Sequence, residues 1–172
     1  CGHFDRNLPM KPTADRIQEL VKILDLKAHP EGGFYSETFR SKQITQNEHG
    51  ADRHLVTSIY FLLRSEDVSH FHRIQSDELW FWHEGSPLSV HLLGETGHEL
   101  LQLGPVDGRD TKPQQLVPAK TIFGSTVDQP DSYALVSCVV APGFDFRDFE
   151  LFKAEDLLPL YPNAEPIIRK LT

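Results

Sequence analysis

The chain has 172 residues, enough to bury the core of one domain, and its 39% hydrophobic and 24% charged residues are ordinary for a globular fold. A formal net charge of −8 with no run of Lys or Arg sets it against the phosphate backbone, so nucleic acid is not an expected partner. The longest apolar run, around 132–141, is too short to span a bilayer, and no membrane partner is expected either.

The first residues, "CGHFDRNLP", lack the charged and apolar regions of a signal peptide and precede Met10. Residues 1–9 are therefore read as an extension and 10–172 as a single domain. "TADRIQELVKILDL" is a predicted helix: Thr13 is a candidate N-cap, and Ile17, Leu20, Val21 and Leu24 keep helical spacing. "HPEGG" stops it. Short strand-like segments follow at 34–40, 54–63, 69–74, 78–83, 88–93, 99–103, 114–117, 133–141 and 149–152. With polar loops at 41–52 and 107–112, this pattern predicts an all-β sandwich or barrel. A helical turn at 154–158 and a short C-terminal helix at 164–171 close the chain. Cys138, inside the apolar "ALVSCVVA", reads as a buried structural thiol. With Cys1 as the only other cysteine, no disulfide framework is indicated, which fits a reducing, cytoplasmic location.

The chemistry concentrates in "SHFHRIQSDELWFWHEG" (69–85). Residues two apart on a strand share a face, so His70 and His72 are expected to point the same way. On the next strand Glu78, Trp80 and Trp82 share a face. A hairpin between the strands would bring two imidazoles, a carboxylate and two indoles together. Such a set can ligate a divalent transition metal (Zn, Ni, Fe or Mn) through His70, His72 and Glu78. It can equally do acid–base chemistry through His72 and Glu78, or be the wet face of a strand. Polar groups mixed with indoles suit a barrel interior open at one end better than a dry core.

These residues resemble the cupin superfamily. "HxH" followed by "ExxxxxxG" (Glu78 to Gly85) is similar to its first motif, and "LVPA" (116–119) to the start of its second. The blocks "HPEGGFYSETFRS", "TSIYFLL", "FHRIQSDELWFWHEGSPL" and "VAPGFDFRDFELF" resemble a family of single-domain cupins with no agreed reaction. The resemblance runs from Ile17 to about Pro162. It implies a double-stranded jelly-roll β-barrel, similar to nucleotide-sugar epimerases, working as a homodimer and holding a small-molecule ligand in its interior. Two departures stand out. Five residues separate His72 from Glu78, so Asp77 competes with Glu78 for the inward position. In the second motif, PxGxxH, Lys120 replaces the glycine and Phe123 the histidine, which deprives any metal of a ligand.

Around this centre, Tyr60, Arg53 and Lys120 are candidate substrate contacts beside Trp80 and Trp82. Each has a plainer alternative, as a packed tyrosine, an ordinary salt bridge and a solvated cation. His91 reads as a hydrogen-bonded strand histidine, Arg73 as half of an ion pair, His29 as a loop or capping residue, and Glu31 as a solvated loop carboxylate, although it could reach the barrel mouth. Two functions compete. One is an enzyme acting on a small polar, sugar-like or hydroxy-acid metabolite, isomerase- or epimerase-like or metal-dependent. The other is a non-catalytic module that binds a metabolite.

Overall fold

The structure is a computed structural model that describes residues 12–107 and 110–172. The 1–9 extension lies outside the described residues. Among the described residues, helix α1 (Thr13–Ile23) leads into thirteen strands, then α2 (Ala154–Leu157) and α3 (Glu165–Lys170). Thr13 is the first helical residue rather than the cap, a position Pro12 takes without a side-chain bond.

One sheet is built from β1 (Lys27–Ala28), β2 (Phe34–Arg40), β5 (Thr57–Arg64), β12 (Tyr133–Ala141), β7 (Asp77–Gly85) and β10 (Gln114–Val117), in that spatial order. The facing sheet runs β13 (Glu150–Leu151), β6 (Val68–Arg73), β11 (Ile122–Val127), β8 (Leu88–Gly94), β9 (Gly97–Leu103). The hairpin β3 (Ile44–Gln46) and β4 (Asp52–His54) forms within what the sequence presents as a loop. Neighbouring strands pair antiparallel, and the alternating sheets form the expected jelly roll.

Strand alternation assigns each side chain to one of three apolar clusters. Inward residues Phe61, Leu63, Trp80, Leu88, Val90, Leu103, Phe123 and Val136 fill the space between the sheets. Outward Leu62 and Leu135 meet Leu20 and Leu26 at α1. Outward Phe71, Leu93 and Ile122 meet Leu157, Ile168 and Leu171 of the C-terminal segment. Burying such side chains is worth about 1.5–3 kcal/mol each, so both helical covers are structural. No helix among the described residues is long and apolar enough to cross a membrane.

The packing between the sheets is apolar toward one end only. At the other end the interior opens into a cavity of about 180 Å³.

Candidate functional site

The cavity is walled by β2, β5, β6, β7 and β12 and by the segment 144–146. His29, Glu31, His72, Glu78 and Cys138 line its depth, and Tyr35, Glu37, Arg40, Phe144 and Phe146 line the rest. Glu78 therefore faces inward. Asp77 does not: its Oδ1 accepts the Ala119 N–H at 2.8 Å on the exposed side.

His70 and His72 do not share a face. Phe123 pairs with His72 and Ser125 with Ser69, so two residues of β6, His70 and Phe71, stand opposite Gly124 alone. This β-bulge breaks the two-residue alternation on which the expected ligand set rests. The freed N–H groups leave the ladder: that of His70 donates to Glu31 O at 2.7 Å and that of Phe71 to Leu171 O at 2.9 Å. His70 Nδ1 also lies 2.7 Å from Glu31 O, as a donor to that carbonyl. His70 thus holds a loop and is withdrawn from the cavity.

That loop supplies Glu31, which is a buried member of the site and not a solvated loop carboxylate. Glu31 Oε2 is 2.6 Å from His72 Nε2, and both side chains are buried. The opposite ring nitrogen, Nδ1, donates to His70 O at 2.7 Å. Glu31 reaches this depth because Gly32 crosses β6 in backbone contact. A Cβ there would sit 2.0 Å from Val68 O, and its φ of 109° lies where side chains are rarely tolerated. The signal available in the sequence was the glycine pair immediately after Glu31.

The electrostatics separate the two carboxyl groups. Burial raises the pKa of Glu31, but the His72 charge and hydrogen bond, helped by His29 and Ser69, outweigh it and leave it lowered. Burial opposes charge on His72 as well, and Glu31 again prevails, so its pKa is raised. The resting pair is imidazolium and carboxylate. Glu78 has no such partner. Burial and the Glu31 charge push it up to about 7, against the opposing pull of His72, the Cys138 thiol and the Trp80 indole. His29 is kept neutral chiefly by burial, and its Nδ1 accepts the Glu31 N–H at 3.1 Å. The site therefore holds a carboxylate, an imidazolium and a carboxyl that titrates near neutrality.

The remaining predicted contacts are dispersed. Trp80 is buried beneath the cavity, edge-on to Phe61 and Phe123 at 6.0 and 6.2 Å, and its Nε1 makes no hydrogen bond, although it is close enough to Glu78 to influence it. Trp82 lies further along the strand and donates to Ser86 O at 3.1 Å. Inward positions of β7 descend into dry packing, and neither indole is among the residues that line the cavity. Tyr60 faces outward into the α1 cluster, on the face of β5 opposite Thr57, Ile59 and Phe61, which line the cavity. Arg53 is buried in a two-pronged pair with Asp148, both contacts 2.8 Å. Lys120 pairs with Glu48 at the surface and has φ 65°, the left-handed conformation for which the motif position normally uses glycine. Arg73 pairs with Glu150 at 2.8 Å, and His91 is bonded to His98 and Thr126.

The expected metal set does not fit. His70 is turned away, the His72 nitrogens are both committed, and Phe123 stands 4.2 Å from the His72 ring where the motif has a histidine. Among the described residues no three His, Cys, Asp or Glu side chains are grouped to hold a metal ion.

Comparison with known proteins agrees with the fold. A solved hypothetical protein from Leishmania major is 41% identical, covering 90% of this chain and 97% of its own, with a TM-score of 0.85. A solved Shewanella oneidensis protein is also 41% identical, over 95% of this chain and 98% of its own, with a TM-score of 0.84. An uncharacterized Saccharomyces cerevisiae protein is 27% identical over 166 residues, 88% of this chain and 82% of its own. The model of the cupin superfamily (DUF985) matches residues 18–152. The chain belongs to the DUF985 family of the cupin superfamily.

Proposed function

We propose that the protein is an enzyme that moves a proton at a carbon next to a carbonyl in a small polar metabolite, as isomerases and epimerases do. The observation that carries this is the buried 2.6 Å contact between Glu31 and His72 beside a Glu78 carboxyl titrating at about 7, all three facing one open cavity. Groups with pKa values driven apart in one site are matched to opposite halves of proton transfer.

The steps balance within these groups. The Glu31 carboxylate accepts the α-proton. The electron pair moves to the carbonyl oxygen, which takes the proton of the neutral Glu78 carboxyl, while His72, with both ring N–H groups engaged, holds Glu31 in place. Glu31 then returns its proton to carbon, at the same or the adjacent position, while the enol O–H that becomes the carbonyl gives its proton back to Glu78, so every group ends in its starting state. The sequence offers His72 and Glu78 for acid–base work; because His72 is paired through both nitrogens, the base is Glu31 and His72 is the residue that positions it. No step requires a metal.

The test is incubation with a panel of small hydroxy-carbonyl compounds in deuterium oxide, followed by NMR. Wild type incorporates deuterium next to the carbonyl of its substrate, and His72→Ala stops it while circular dichroism stays unchanged. Binding without deuterium incorporation by wild type establishes the non-catalytic binding module instead.

A further inference from the structure

Resting on that reading, we infer that the cavity takes an uncharged polyhydroxylated carbonyl compound, an unphosphorylated sugar in chemical class, and that Glu37 sets this preference by occupying Arg40. Among the described residues only two cations line the cavity, Arg40 and His72. His72 is spent on Glu31 and the His70 carbonyl. Arg40 directs Nε and Nη2 to Glu37 Oε1 at 3.0 and 2.6 Å, and Nη1 to Phe144 O at 3.2 Å. The cations of the bordering segment are also matched: Arg53 by Asp148, and Arg147 by Asp145 at 2.8 Å.

A phosphate or carboxylate entering this cavity meets no free partner. It must displace Glu37 from Arg40 and then share the space with the Glu31 and Glu37 charges. Like charges brought together in one site raise the cost of binding, although Arg40 and Glu37 themselves stand at its exposed mouth. The remaining lining suits a neutral ring or chain. Ile59, Phe61, Ile74 and Val140 are apolar, and Phe144 and Phe146 stand edge to face at 4.8 Å by the mouth, with Phe146 53% exposed. Aromatic faces accept the C–H surface of a sugar. Tyr35 and Glu37 Oε2, the oxygen that Arg40 does not use, are left for its hydroxyls, while Thr57 Oγ1 already accepts the Phe144 N–H at 2.8 Å.

The experiment measures dissociation constants by calorimetry or ligand-observed NMR for matched compounds on one carbon skeleton: an aldose or ketose, its phosphate ester and its aldonic acid. Wild type should bind the neutral member at least about tenfold more tightly than either anion. Glu37→Gln, which frees Arg40 without removing its bulk, should move the anion-to-neutral ratio by about tenfold or more toward the anions. The double variant Glu37→Gln/Arg40→Gln should lose that gain. Tighter binding of an anion by wild type, an unchanged ratio in Glu37→Gln, or no binding of any member would each overturn the inference. Because the readout is affinity, it separates from the proton-transfer reading. Neutral binding without deuterium incorporation contradicts that reading alone, whereas deuterium incorporation confined to an anion contradicts this inference alone.

Discussion

Two histidines are buried almost equally in this protein, His72 at 3% exposure and His91 at 7%, and they hold opposite charge states. His72 is raised in pKa because Glu31 answers its charge across 2.6 Å. His91, on the outer side of β8, stacks on His98 with Nδ1 3.0 Å from its Nε2, and its other nitrogen lies 2.8 Å from Thr126 Oγ1. With burial first and a second imidazole next, its pKa falls to about 4. Burial alone would discharge both. The partner decides, and of the two only His72 is given a carboxylate.

Removing that carboxylate is the most damaging way to break the contrast. Glu31→Gln should lower deuterium incorporation by about 10²–10⁴-fold, the usual range for loss of a positioned base. It should also drop the His72 pKa below its ordinary value, making His72 resemble His91, as a histidine NMR titration would show. Glu78→Gln acts on the acid side. With a carboxyl titrating at about 7, wild-type kcat/KM should fall about tenfold per pH unit above neutrality. The variant should be about 10²-fold slower and lose that limb.

For His91 the contrast appears in stability. Its native pKa of about 4 lies below the ordinary 6.5, so the unfolded chain binds more protons between those values, and stability is lost as pH falls from 6.5 to 4. The full effect is on the order of 3 kcal/mol. Glu78 runs the other way: its native pKa is raised, so its contribution is present below 4.5 and lost as pH rises through 7. The two partly cancel in wild type. In denaturant unfolding, His91→Gln should remove the acid-side loss, so that the difference from wild type narrows or reverses as pH falls from 6.5 to 4. A difference constant with pH would contradict the neutral assignment of His91. The smallest effect concerns His70. Replacing it with Ala removes the Nδ1 bond to Glu31 O, at a cost of roughly 1 kcal/mol, and should lower activity through a less fixed Glu31 rather than through lost chemistry. A shift of the Glu78 pH limb in His70→Ala, alongside the lower rate, would distinguish positioning from simple destabilisation.

Much of the barrel was legible because strand alternation is a local property. The strands 34–40, 114–117 and 133–141 stand as their patterns indicate. β11 was not legible: "IFGSTV" places Gly124, Ser125 and Thr126 where apolar residues are expected, and its pairing with β6 and β8 is what makes it a strand. The inward course of Glu78 was suggested by the resemblance, whose ExxxxxxG motif fits Glu78 and Gly85, and Glu78 lines the cavity. The withdrawal of His70 was not, since a bulge depends on the register of a partner strand. Glu31 was hidden for the same reason. It lies far from His72 in sequence, and the loop carrying it is placed by Gly32 passing over β6 and by the His70 bonds to its carbonyl. Local pattern gave the faces, and long-range backbone contact assembled the site.

The central claim is that His72 is an imidazolium held by an ionised Glu31. Long-range ¹⁵N–¹H correlation of the histidine rings at pH 7 addresses it directly. Both His72 ring nitrogens should report a bound proton, and in Glu31→Gln one of them should lose it. A wild-type His72 with a bare Nε2 at that pH would contradict the account.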